Sequence, residues 1–533
     1  MKALKIQISG SGSEMQGVGR LADGRVVFVR GALPGETVSV EITREAPRFV
    51  EARLLDVVEA SPDRYESTCP YAERCGGCAA RHMSYDCSLR LKRQRVYDAL
   101  TRIGGVANAV VRNALPSPKV NHYRNKAEYA VQYSGGRLSI GFFAPNSHRV
   151  IDIDDCLLQH SSSVKALNWL RKDLPKRACT AHIRYLVTRV NRDASLSIVL
   201  CSDAPVQEEA KQIALCMKHA LPELESAHFC RLRQHPSHAL DGKCFALFGS
   251  ETITDRLCGL IFELSPQSFF QVNPEQTETL YGIALDAAQI SSNTHLLDIY
   301  CGAGTISLAA AKRGATVTGI EIVEPAVENA KRNAQRNQLS GRANFICGDA
   351  AHVTPRLIAK GTGFDCAVID PPRRGADAET LNALADAKLD RIVYVSCNPS
   401  TLARDVKLLA AREYVLEWAQ PVDMFPWTEH VETVVLLSKG EIDSKKVRVE
   451  FSLENMDMSG FQKGATYPQI KEYVQEHSGL KVSSLYISQV KRKCGLDVGQ
   501  NYNLSKKEGA KQPQCPPEKE KAIMEALQHF GMI

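Results

Sequence analysis

The sequence lacks the features that would place it in or across a membrane. No stretch of the 533 residues approaches the ~20 apolar residues that span a bilayer. The segment that begins at Met1 alternates charged and apolar residues and has neither the apolar region nor the cleavage site of a signal peptide. We therefore expect a cytoplasmic protein with no membrane partner, in which cysteines stay reduced.

The chain also lacks a strong excess of charge. It has 66 Lys and Arg against 60 Asp and Glu, which gives a net charge of +6. This mild excess permits an anionic partner without proving one. The length allows roughly three or four domains, and the hydrophobic share of 44% is ordinary for a globular core.

Residues 1–60 are predicted to form a small β-barrel. Short β-rich runs are separated by turn signals at Gly17-Val-Gly19, Asp23-Gly24 and Pro34-Gly35. About four or five such strands fit a barrel of the OB type, a common nucleic-acid binder. A basic surface suited to phosphates would come from Arg20, Arg25, Arg30, Arg44, Arg48 and Arg53. The alternative is a barrel with no ligand.

Three of the 17 cysteines are clustered, as Cys69-x5-Cys75-x2-Cys78. Reduced thiols this close predict a metal site, and four thiolates suit zinc or an iron–sulfur cluster. The fourth ligand must come from elsewhere, with Cys156 as the first choice and Cys87 as the alternative. The remaining cysteines of the predicted central α+β domain (residues 61–265) are isolated in sequence and are predicted to be core residues: Cys179, Cys201, Cys216, Cys230, Cys244 and Cys258.

Two basic stretches of this central domain fit either RNA contact or plain exposure to solvent. Leu89–Leu100 is predicted to be an amphipathic helix whose basic face includes Lys92 and Arg95. Arg124 and Lys126, in an extended region, could line a polynucleotide groove or lie on an exposed edge. The pattern leaves both alternatives open.

From residue 266 to 440 strands alternate with helices, which predicts a doubly wound α/β sheet. One strand enters the turn Gly302-Ala-Gly304, and the next ends at Glu321, about 20 residues later, where a carboxylate can hold a ribose. The third glycine of a dinucleotide fingerprint is absent. Acids at four predicted strand ends favour an S-adenosylmethionine methyltransferase over a nicotinamide enzyme: Asp298, Glu321, Asp349 and Asp370.

A further buried strand, Ile392–Val395, leads into Ser396-Cys397-Asn398-Pro399. Open α/β sheets bind ligands at the carboxyl ends of their strands, so Cys397 is placed where a nucleophile is useful. A buried structural thiol is the alternative. Glu432 precedes another apolar strand and is predicted to lie near the same edge as a general base. Glu429 and His430 are lesser candidates for that role.

Three motifs in this order, Asp370-Pro-Pro-Arg373, Tyr394-Val-Ser-Cys-Asn-Pro399 and Glu429-His-Val-Glu-Thr433, resemble the RNA uracil-5-methyltransferase family. The resemblance extends over about residues 1–440, and the barrel resembles a TRAM domain. It implies a Rossmann-like class I S-adenosylmethionine methyltransferase domain at 266–440. The barrel and the clustered cysteines match the 23S ribosomal RNA branch, whereas the transfer-RNA branch generally lacks both.

The same resemblance implies roles for individual residues. It places a [4Fe-4S] cluster on Cys69, Cys75, Cys78 and Cys156. It places S-adenosylmethionine on Gln271, Tyr300, Glu321 and Asp370, with Asp349 near the adenine. It implies that Phe269 holds a flipped base, that Cys397 adds to uracil C6, and that Glu432 removes the C5 proton.

Rival hypotheses share much of this pattern. A cytosine-C5 RNA methyltransferase would also use a cysteine nucleophile, and a transfer-RNA uracil enzyme or a non-catalytic RNA-binding assembly factor could keep the same fold. Arg373 replaces the aromatic residue of the Asp-Pro-Pro-aromatic motif of amino-group methyltransferases, which argues against an adenine-N6 enzyme. We expect a monomer that binds ribosomal RNA.

Residues 441–533 are predicted to be a small, mainly helical extension of unassigned role. A strand is predicted at 447–453, helices at 467–477, 482–494 and 518–529, and a linker at 506–517. The basic second helix fits either a helix-turn-helix-like nucleic-acid module or a solvated surface.

Overall fold

The computed structural model of the protein describes residues 3–361, 363–440, 467–494, 496, 515–530 and 532. The chain divides into two units, residues 1–443 and 444–533. The strands are β1 Leu4–Ser11, β2 Gly17–Arg20, β3 Val26–Arg30, β4 Thr37–Glu45, β5 Phe49–Glu59, β6 Lys126–Ser134, β7 Arg137–Phe143, β8 Val150–Asp152, β9 Ile183–Val190, β10 Leu196–Ser202, β11 Leu224–Leu232, β12 Gly242–Phe248, β13 Ile253–Leu257, β14 Leu260–Leu264, β15 His295–Ile299, β16 Thr316–Glu321, β17 Ala343–Cys347, β18 Cys366–Ile369, β19 Arg391–Ser396, β20 Tyr414–Val422 and β21 Glu432–Lys439. The helices are α1 Tyr85–Arg102, α2 Ser161–Asp173, α3 Gln207–Ala220, α4 Pro274–Ala287, α5 Thr305–Lys312, α6 Glu324–Arg336, α7 Ala350–Ala359, α8 Ala378–Asp386, α9 Pro399–Ala410, α10 Tyr467–Ser478, α11 Ser484–Lys493 and α12 Pro517–His529.

Strands β1–β5 close a barrel in the order β1-β2-β3-β5-β4, which confirms the predicted OB-type barrel. Alternate apolar side chains of these strands fill its interior. The prediction of a turn at Gly17–Gly19 was wrong, because both glycines lie in β2. A Cβ on Gly19 would approach Ile6 to 2.5 Å, so the glycine is what allows β1 and β2 to pack this closely.

A seven-stranded sheet in the order β12-β11-β10-β9-β6-β7-β8 forms the centre of the first unit. Cys201, Cys230 and Cys244 lie side by side on β10, β11 and β12, although they are far apart in sequence. The prediction that the isolated cysteines are core residues was wrong for Cys216, which is exposed on α3. Cys216 lies beside the buried face of α3, which is formed by Ala210, Ile213, Ala214 and Met217.

The second seven-stranded sheet has the order β17-β16-β15-β18-β19-β21-β20. Strands β17, β16, β15, β18 and β19 are parallel, and β21 runs antiparallel to β19. The predicted alternation of strands and helices is confirmed. Apolar residues of α1 and of the β13–β14 hairpin pack into the two cores that flank this sheet, so residues before 266 complete its packing.

Within the described residues of the second unit, the helices α10, α11 and α12 pack around a small apolar core. They confirm the helices predicted for the carboxyl-terminal extension. The strand predicted at 447–453 and most of the predicted linker lie outside the described residues. Within the described ranges, no helix has both the length and the apolar character needed to cross a membrane.

Candidate active site

One edge of the parallel sheet collects the predicted site residues. Tyr300 and Asp370 directly follow β15 and β18, and Cys397 directly follows β19. Glu321 is the last residue of β16. Because β21 runs antiparallel to β19, its first residue, Glu432, lies at the same edge. The topology therefore brings together residues that are up to 132 positions apart in the sequence.

Cys397 and Glu432 are neighbours across two strands. Ser396 pairs with Thr433 in the antiparallel register, so the next residue of one strand faces the preceding residue of the other. Cys397 is half-buried, whereas Glu432 is 4% exposed. This places a thiol and a carboxyl group at one end of the sheet, where both can face a ligand.

The pKa values of three acidic side chains at this edge, Cys397, Glu432 and Asp370, are raised above their ordinary values. Burial, then the negative charges of Glu432 and Asp370, raise the pKa of the Cys397 thiol to about 11, while Arg373 acts in the opposite direction. Burial, then Asp370, raise the pKa of Glu432 to about 8. Burial raises the pKa of Asp370 to about 7. A cationic ligand group at this edge would favour the ionised forms of all three.

The glycine-rich turn orients Glu321. The backbone N–H of Gly302 donates to one carboxylate oxygen of Glu321 at 3.1 Å, and that of Val323 donates to the other at 2.9 Å. Gly302 and Gly304 both have positive φ values, 55° and 81°, which L-residues rarely adopt. The turn therefore fixes the Glu321 carboxylate at the carboxyl-terminal edge of the sheet, near the amino end of α5.

Tyr300, Asp349 and Gln271 were also predicted to bind the cofactor. Tyr300 has a φ of 65° and its hydroxyl donates to Asp377 at 3.4 Å. Asp349 caps α7 by accepting from the backbone N–H of Ala351 at 3.0 Å. Gln271 is buried, and its backbone carbonyl oxygen accepts from the side-chain amide of Asn125 at 3.2 Å.

Asp298 differs from the other three acids that were expected at strand ends. It lies inside β15 with no exposed surface, and the Ser307 hydroxyl donates to its carboxylate. Burial raises its pKa to about 7. Asp298 therefore has a structural role, since it binds Ser307 of the helix that follows the turn. Glu321, Asp349 and Asp370 remain accessible to a ligand.

Phe269 lines a cavity of 410 Å³, and its side chain is 77% exposed. Arg124, Lys126 and Arg189 also line this cavity. Arg189 is 3% exposed, and its Nη1 atom is buried without a partner among the described residues. The cavity thus combines an exposed aromatic ring with buried positive charge.

The same cavity is lined by the four cysteines expected to hold a metal cluster: Cys69, Cys75, Cys78 and Cys156. The alternative fourth ligand, Cys87, packs elsewhere against Met15, Leu33 and Met83. Burial raises the pKa of the Cys75, Cys78 and Cys156 thiols, that of Cys78 to about 12. In the described part of the chain, no three His, Cys, Asp or Glu side chains form a group that could hold a metal ion as they stand. Thiols are the donor type that soft metals prefer, and these four line one cavity.

Sequence reasoning missed the residues that hold the loop before Glu432. This loop, residues 423–431, joins β20 to β21 and is called the hairpin loop below. The Lys92 ammonium lies 2.5 Å from an Asp423 carboxylate oxygen, and neither side chain is exposed. The Tyr85 hydroxyl donates to the other oxygen at 2.8 Å. Arg95 donates to the backbone carbonyl of Glu429 at 2.7 Å.

The expectation that Lys92 lies on a solvent- or RNA-facing side of its helix was therefore wrong. Lys92 falls in the buried stripe of α1, four residues before Val96 and eight before Leu100. That spacing was the signal that could have identified it as an inward-facing residue. Burial lowers the pKa of Lys92, and its carboxylate partner opposes that shift.

Comparison with known proteins agrees with this architecture. Residues 84–346 and 356–440 match the family model described as tRNA (Uracil-5-)-methyltransferase, and residues 2–55 match that of the TRAM domain. An uncharacterised RNA methyltransferase of Halalkalibacterium halodurans is 39% identical over 78% of this chain and 92% of its own length. One from Caldanaerobacter subterraneus is 38% identical over 82% of this chain and 98% of its own.

A solved structure extends the likeness to three dimensions. The Pyrococcus abyssi tRNA (uracil-54, C5)-methyltransferase in complex with S-adenosyl-L-homocysteine is 28% identical to this chain, with a TM-score of 0.66. The match covers 81% of this chain and 100% of that one. The predicted class I methyltransferase fold, the family and the TRAM domain are confirmed. The chain belongs to the tRNA (uracil-5-)-methyltransferase family of S-adenosylmethionine-dependent enzymes.

Proposed function

We propose that the protein transfers a methyl group from S-adenosylmethionine to C5 of uridine in 23S ribosomal RNA. The observation that carries the proposal is the pairing of Cys397 with Glu432 at the ligand edge of the sheet. C5 methylation of uracil needs a nucleophile for C6 and a base for the C5 proton. The two groups that supply them here are neighbours.

The reaction begins when the Cys397 thiolate forms a bond to uracil C6 and the C5–C6 electron pair moves toward O4. The resulting enolate attacks the sulfonium methyl through C5, a carbon–carbon bond forms, and S-adenosylhomocysteine leaves. Glu432 then removes the C5 proton, the electrons restore the C5–C6 double bond, and Cys397 departs as a thiolate. The target base must leave its stack to be reached, which suits loops or single strands.

The positive charge of Arg373 near Cys397 assists these reaction steps. The Arg373 guanidinium favours the thiolate and the ionised Glu432 electrostatically. We assign it the further role of stabilising the enolate, a task for which positioned donors are effective. The carbonyl of Arg373 accepts from the Asn398 side chain at 3.1 Å, which ties its loop to the turn that carries Cys397.

The cofactor would lie along the carboxyl ends of β15–β18. Glu321, whose carboxylate is held by two backbone N–H groups, would accept from the ribose hydroxyls. Asp349 would contact the adenine. Tyr300 and Gln271 would contact the remaining part of the S-adenosylmethionine molecule. Asp370, half-buried beside Glu432, would face the positive end of the cofactor, and the sulfonium charge would lower the pKa of both carboxyl groups.

We further propose that Cys69, Cys75, Cys78 and Cys156 hold a [4Fe-4S] cluster. Their common cavity supports this assignment, because four thiols around one space offer the donor set that such clusters need. Arginines at the cavity wall would balance the negative charge of the group. Anaerobic purification followed by iron and sulfide analysis tests the proposal: zinc without labile sulfide would contradict it.

Ribosomal RNA is favoured over transfer RNA because the barrel and the four cysteines occur together in this chain, as in the ribosomal branch that the sequence resembles. Transfer RNA is the second candidate, since the similar solved enzyme is a tRNA (uracil-54, C5)-methyltransferase. Both substrates would use the same Cys397 chemistry, so the choice between them needs a direct experiment.

The experiment uses full-length protein, S-adenosylmethionine and RNA that contains 5-fluorouridine. Fluorine at C5 cannot leave as a proton, so the enzyme should stall as a covalent complex after methyl transfer. A cofactor-dependent band on a denaturing gel is expected with ribosomal RNA fragments and is expected to disappear in Cys397→Ala. The matched control is Cys347→Ala, which removes an exposed thiol at the end of β17.

Parallel reactions separate the alternatives. A band with transfer RNA and none with ribosomal fragments would reassign the substrate. Methylation of unmodified cytidine and not of uridine oligonucleotides would indicate a cytosine-C5 enzyme. Tight RNA binding with no covalent complex and no methylated product would indicate a non-catalytic RNA-binding factor.

A further inference from the structure

The segment that follows Cys78 is bonded directly to the hairpin loop. The backbone N–H groups of Ala79 and Ala80 both donate to the carbonyl oxygen of Trp427, each at 3.0 Å. The Arg81 guanidinium lies 4.9 Å from the centre of the Trp427 ring. Three consecutive residues after a proposed cluster ligand therefore contact one residue of the hairpin loop.

Side chains make a second connection between the cysteine cavity and this loop. Tyr123, Leu158 and Trp427 form a small buried apolar cluster, against which Cys78 and Cys156 pack. The Tyr123 hydroxyl also donates to the carbonyl of Pro426 at 3.1 Å. Two of the four cysteines thus share a packing surface with the loop that ends at the proposed base.

Trp427 holds a conformation that its own residue type does not favour. Its φ is 67°, in the left-handed region that bulky L-residues rarely adopt. Its side chain is 9% exposed, and its indole N–H is buried without an acceptor among the described residues. Such a conformation persists only when the surroundings enforce it. The surroundings here are the cysteine segment and the apolar cluster.

A change at Trp427 would reach Glu432 through a short, ordered segment. Thr428 donates through its hydroxyl to the Phe425 carbonyl at 2.9 Å and accepts from the His430 backbone N–H at 3.3 Å. Glu432 begins the next strand, five residues after Trp427. General base catalysis depends on distance, so a small displacement of this segment would slow proton removal.

We propose that Trp427 is a positioning residue through which the occupied cysteine site sets the place of Glu432. The inference rests on the proposed function, in which Glu432 removes the C5 proton and the four cysteines hold a cluster. With the cluster bound, Cys78 and Cys156 are fixed, and the segment 79–81 holds Trp427 in its left-handed conformation. Without the cluster, the thiols separate and the hairpin loop loses that support.

The consequence falls mainly on one step of the reaction. Cys397 is carried by β19 and its turn, and the hairpin loop reaches the groups assigned to addition and methyl transfer through the 3.5 Å contact between His430 and Arg373. Glu432 directly follows the loop, so removal of the C5 proton should depend on the loop more strongly than the earlier steps do. Loss of the cluster should therefore make the methylated covalent adduct accumulate, as substitution of the base itself would.

The first measurement is intrinsic fluorescence of the anaerobically purified, cluster-loaded full chain, which has three tryptophans. An iron–sulfur cluster beside Trp427 quenches its emission, so chemical removal of the cluster should increase the fluorescence. The increase should be clearly smaller in Trp427→Phe than in the wild type, with the remainder coming from Trp169, which packs on the same apolar core as Cys156. It should be retained in Trp418→Phe, which changes a residue of β20 whose ring packs on Arg112. An equal increase in Trp427→Phe would overturn the proposal.

The second measurement follows the adduct by rapid quenching with unmodified substrate RNA. Cluster-free protein and Trp427→Ala should break down the adduct about 10- to 100-fold more slowly than the loaded enzyme, with S-adenosylmethionine affinity unchanged. Trp427→Phe keeps an aromatic ring packed against Tyr123 and Leu158, so its adduct breakdown should be slowed less. Adduct breakdown at the loaded rate after cluster removal would overturn the inference alone. Absence of any adduct even in Glu432→Gln would overturn the proposed function and this inference together.

Discussion

The pH dependence of the two covalent steps offers the sharpest test of the site, because the two reacting groups have different pKa values. Glu432 must be ionised to accept the C5 proton, and its pKa is raised to about 8, chiefly by burial. Cys397 must be ionised to attack C6, and its pKa is raised to about 11 by burial and two nearby carboxylates. Both steps should therefore accelerate as the pH rises from 7 to 9.

The expected magnitudes differ. With a pKa near 8, the ionised fraction of Glu432 rises from about 9% at pH 7 to about 91% at pH 9, so adduct breakdown should accelerate about tenfold and then level off. The thiolate fraction of Cys397 stays small throughout this range and rises about tenfold per pH unit. Adduct formation should therefore accelerate across this whole range, by at most about 100-fold between pH 7 and pH 9. The sulfonium charge, which favours the thiolate, should reduce that factor.

The assay is a single turnover with saturating S-adenosylmethionine, quenched at intervals and separated on a denaturing gel. The adduct band gives the rate of formation, and released 5-methyluridine gives the rate of breakdown. Glu432→Gln should slow breakdown about 10²- to 10⁴-fold and abolish its pH dependence. The matched control, Glu429→Gln, removes a half-buried carboxyl group of the hairpin loop and should keep the wild-type profile.

Two results would refute this reasoning. If breakdown does not change between pH 6 and pH 9, then Glu432 does not titrate in the step assigned to it. If Glu432→Gln keeps the wild-type pH profile while Glu429→Gln loses it, then the base is Glu429. The second result would move the chemistry from the first residue of β21 to the middle of the hairpin loop.

Three further predictions concern binding and stability. Glu321→Ala should raise the Kd for S-adenosylmethionine about 10- to 100-fold by calorimetry, because it removes a charged acceptor, whereas Glu324→Ala at the exposed start of α6 should not. Lys92→Met should cost about 3–5 kcal/mol in urea unfolding, because it leaves a buried carboxylate unpaired; joint replacement of that carboxylate by an apolar residue should restore most of the loss. Gly304→Ala should lower the melting temperature more than Gly302→Ala, since both have positive φ but only a Cβ at residue 304 meets neighbouring side chains, the nearest at 2.9 Å.

The cofactor edge could be predicted from the sequence because its signals are local. Each strand is a short apolar run, and the residue at its carboxyl end is the one that faces a ligand in a parallel sheet. Glu321 and Asp370 follow directly from that rule. Asp298 shows where the rule ends: one residue earlier in its strand, the side chain points into the packing beneath the turn and is held by Ser307.

The meeting of Cys397 and Glu432 needed more than local signals. Nothing in the sequence states that β21 inserts between β19 and β20 in the opposite direction, and only that insertion places Glu432 beside the turn after β19. The motifs predicted both residues as reactive. That the two residues lie side by side follows from the antiparallel pairing of β19 with β21.

The contacts that hold the hairpin loop could not have been predicted, because they join residues more than 300 positions apart. Lys92 reaches Asp423, and Ala79 reaches Trp427, across a boundary that composition and motifs place between a central domain and a methyltransferase domain. A buried ion pair adds little net stability compared with apolar residues of the same size, but it fixes one arrangement once both charges are buried. The physical reason to keep such a pair here is that the loop it anchors ends at the proposed base. The amino-terminal half of the chain therefore supplies part of the packing that holds the loop before Glu432.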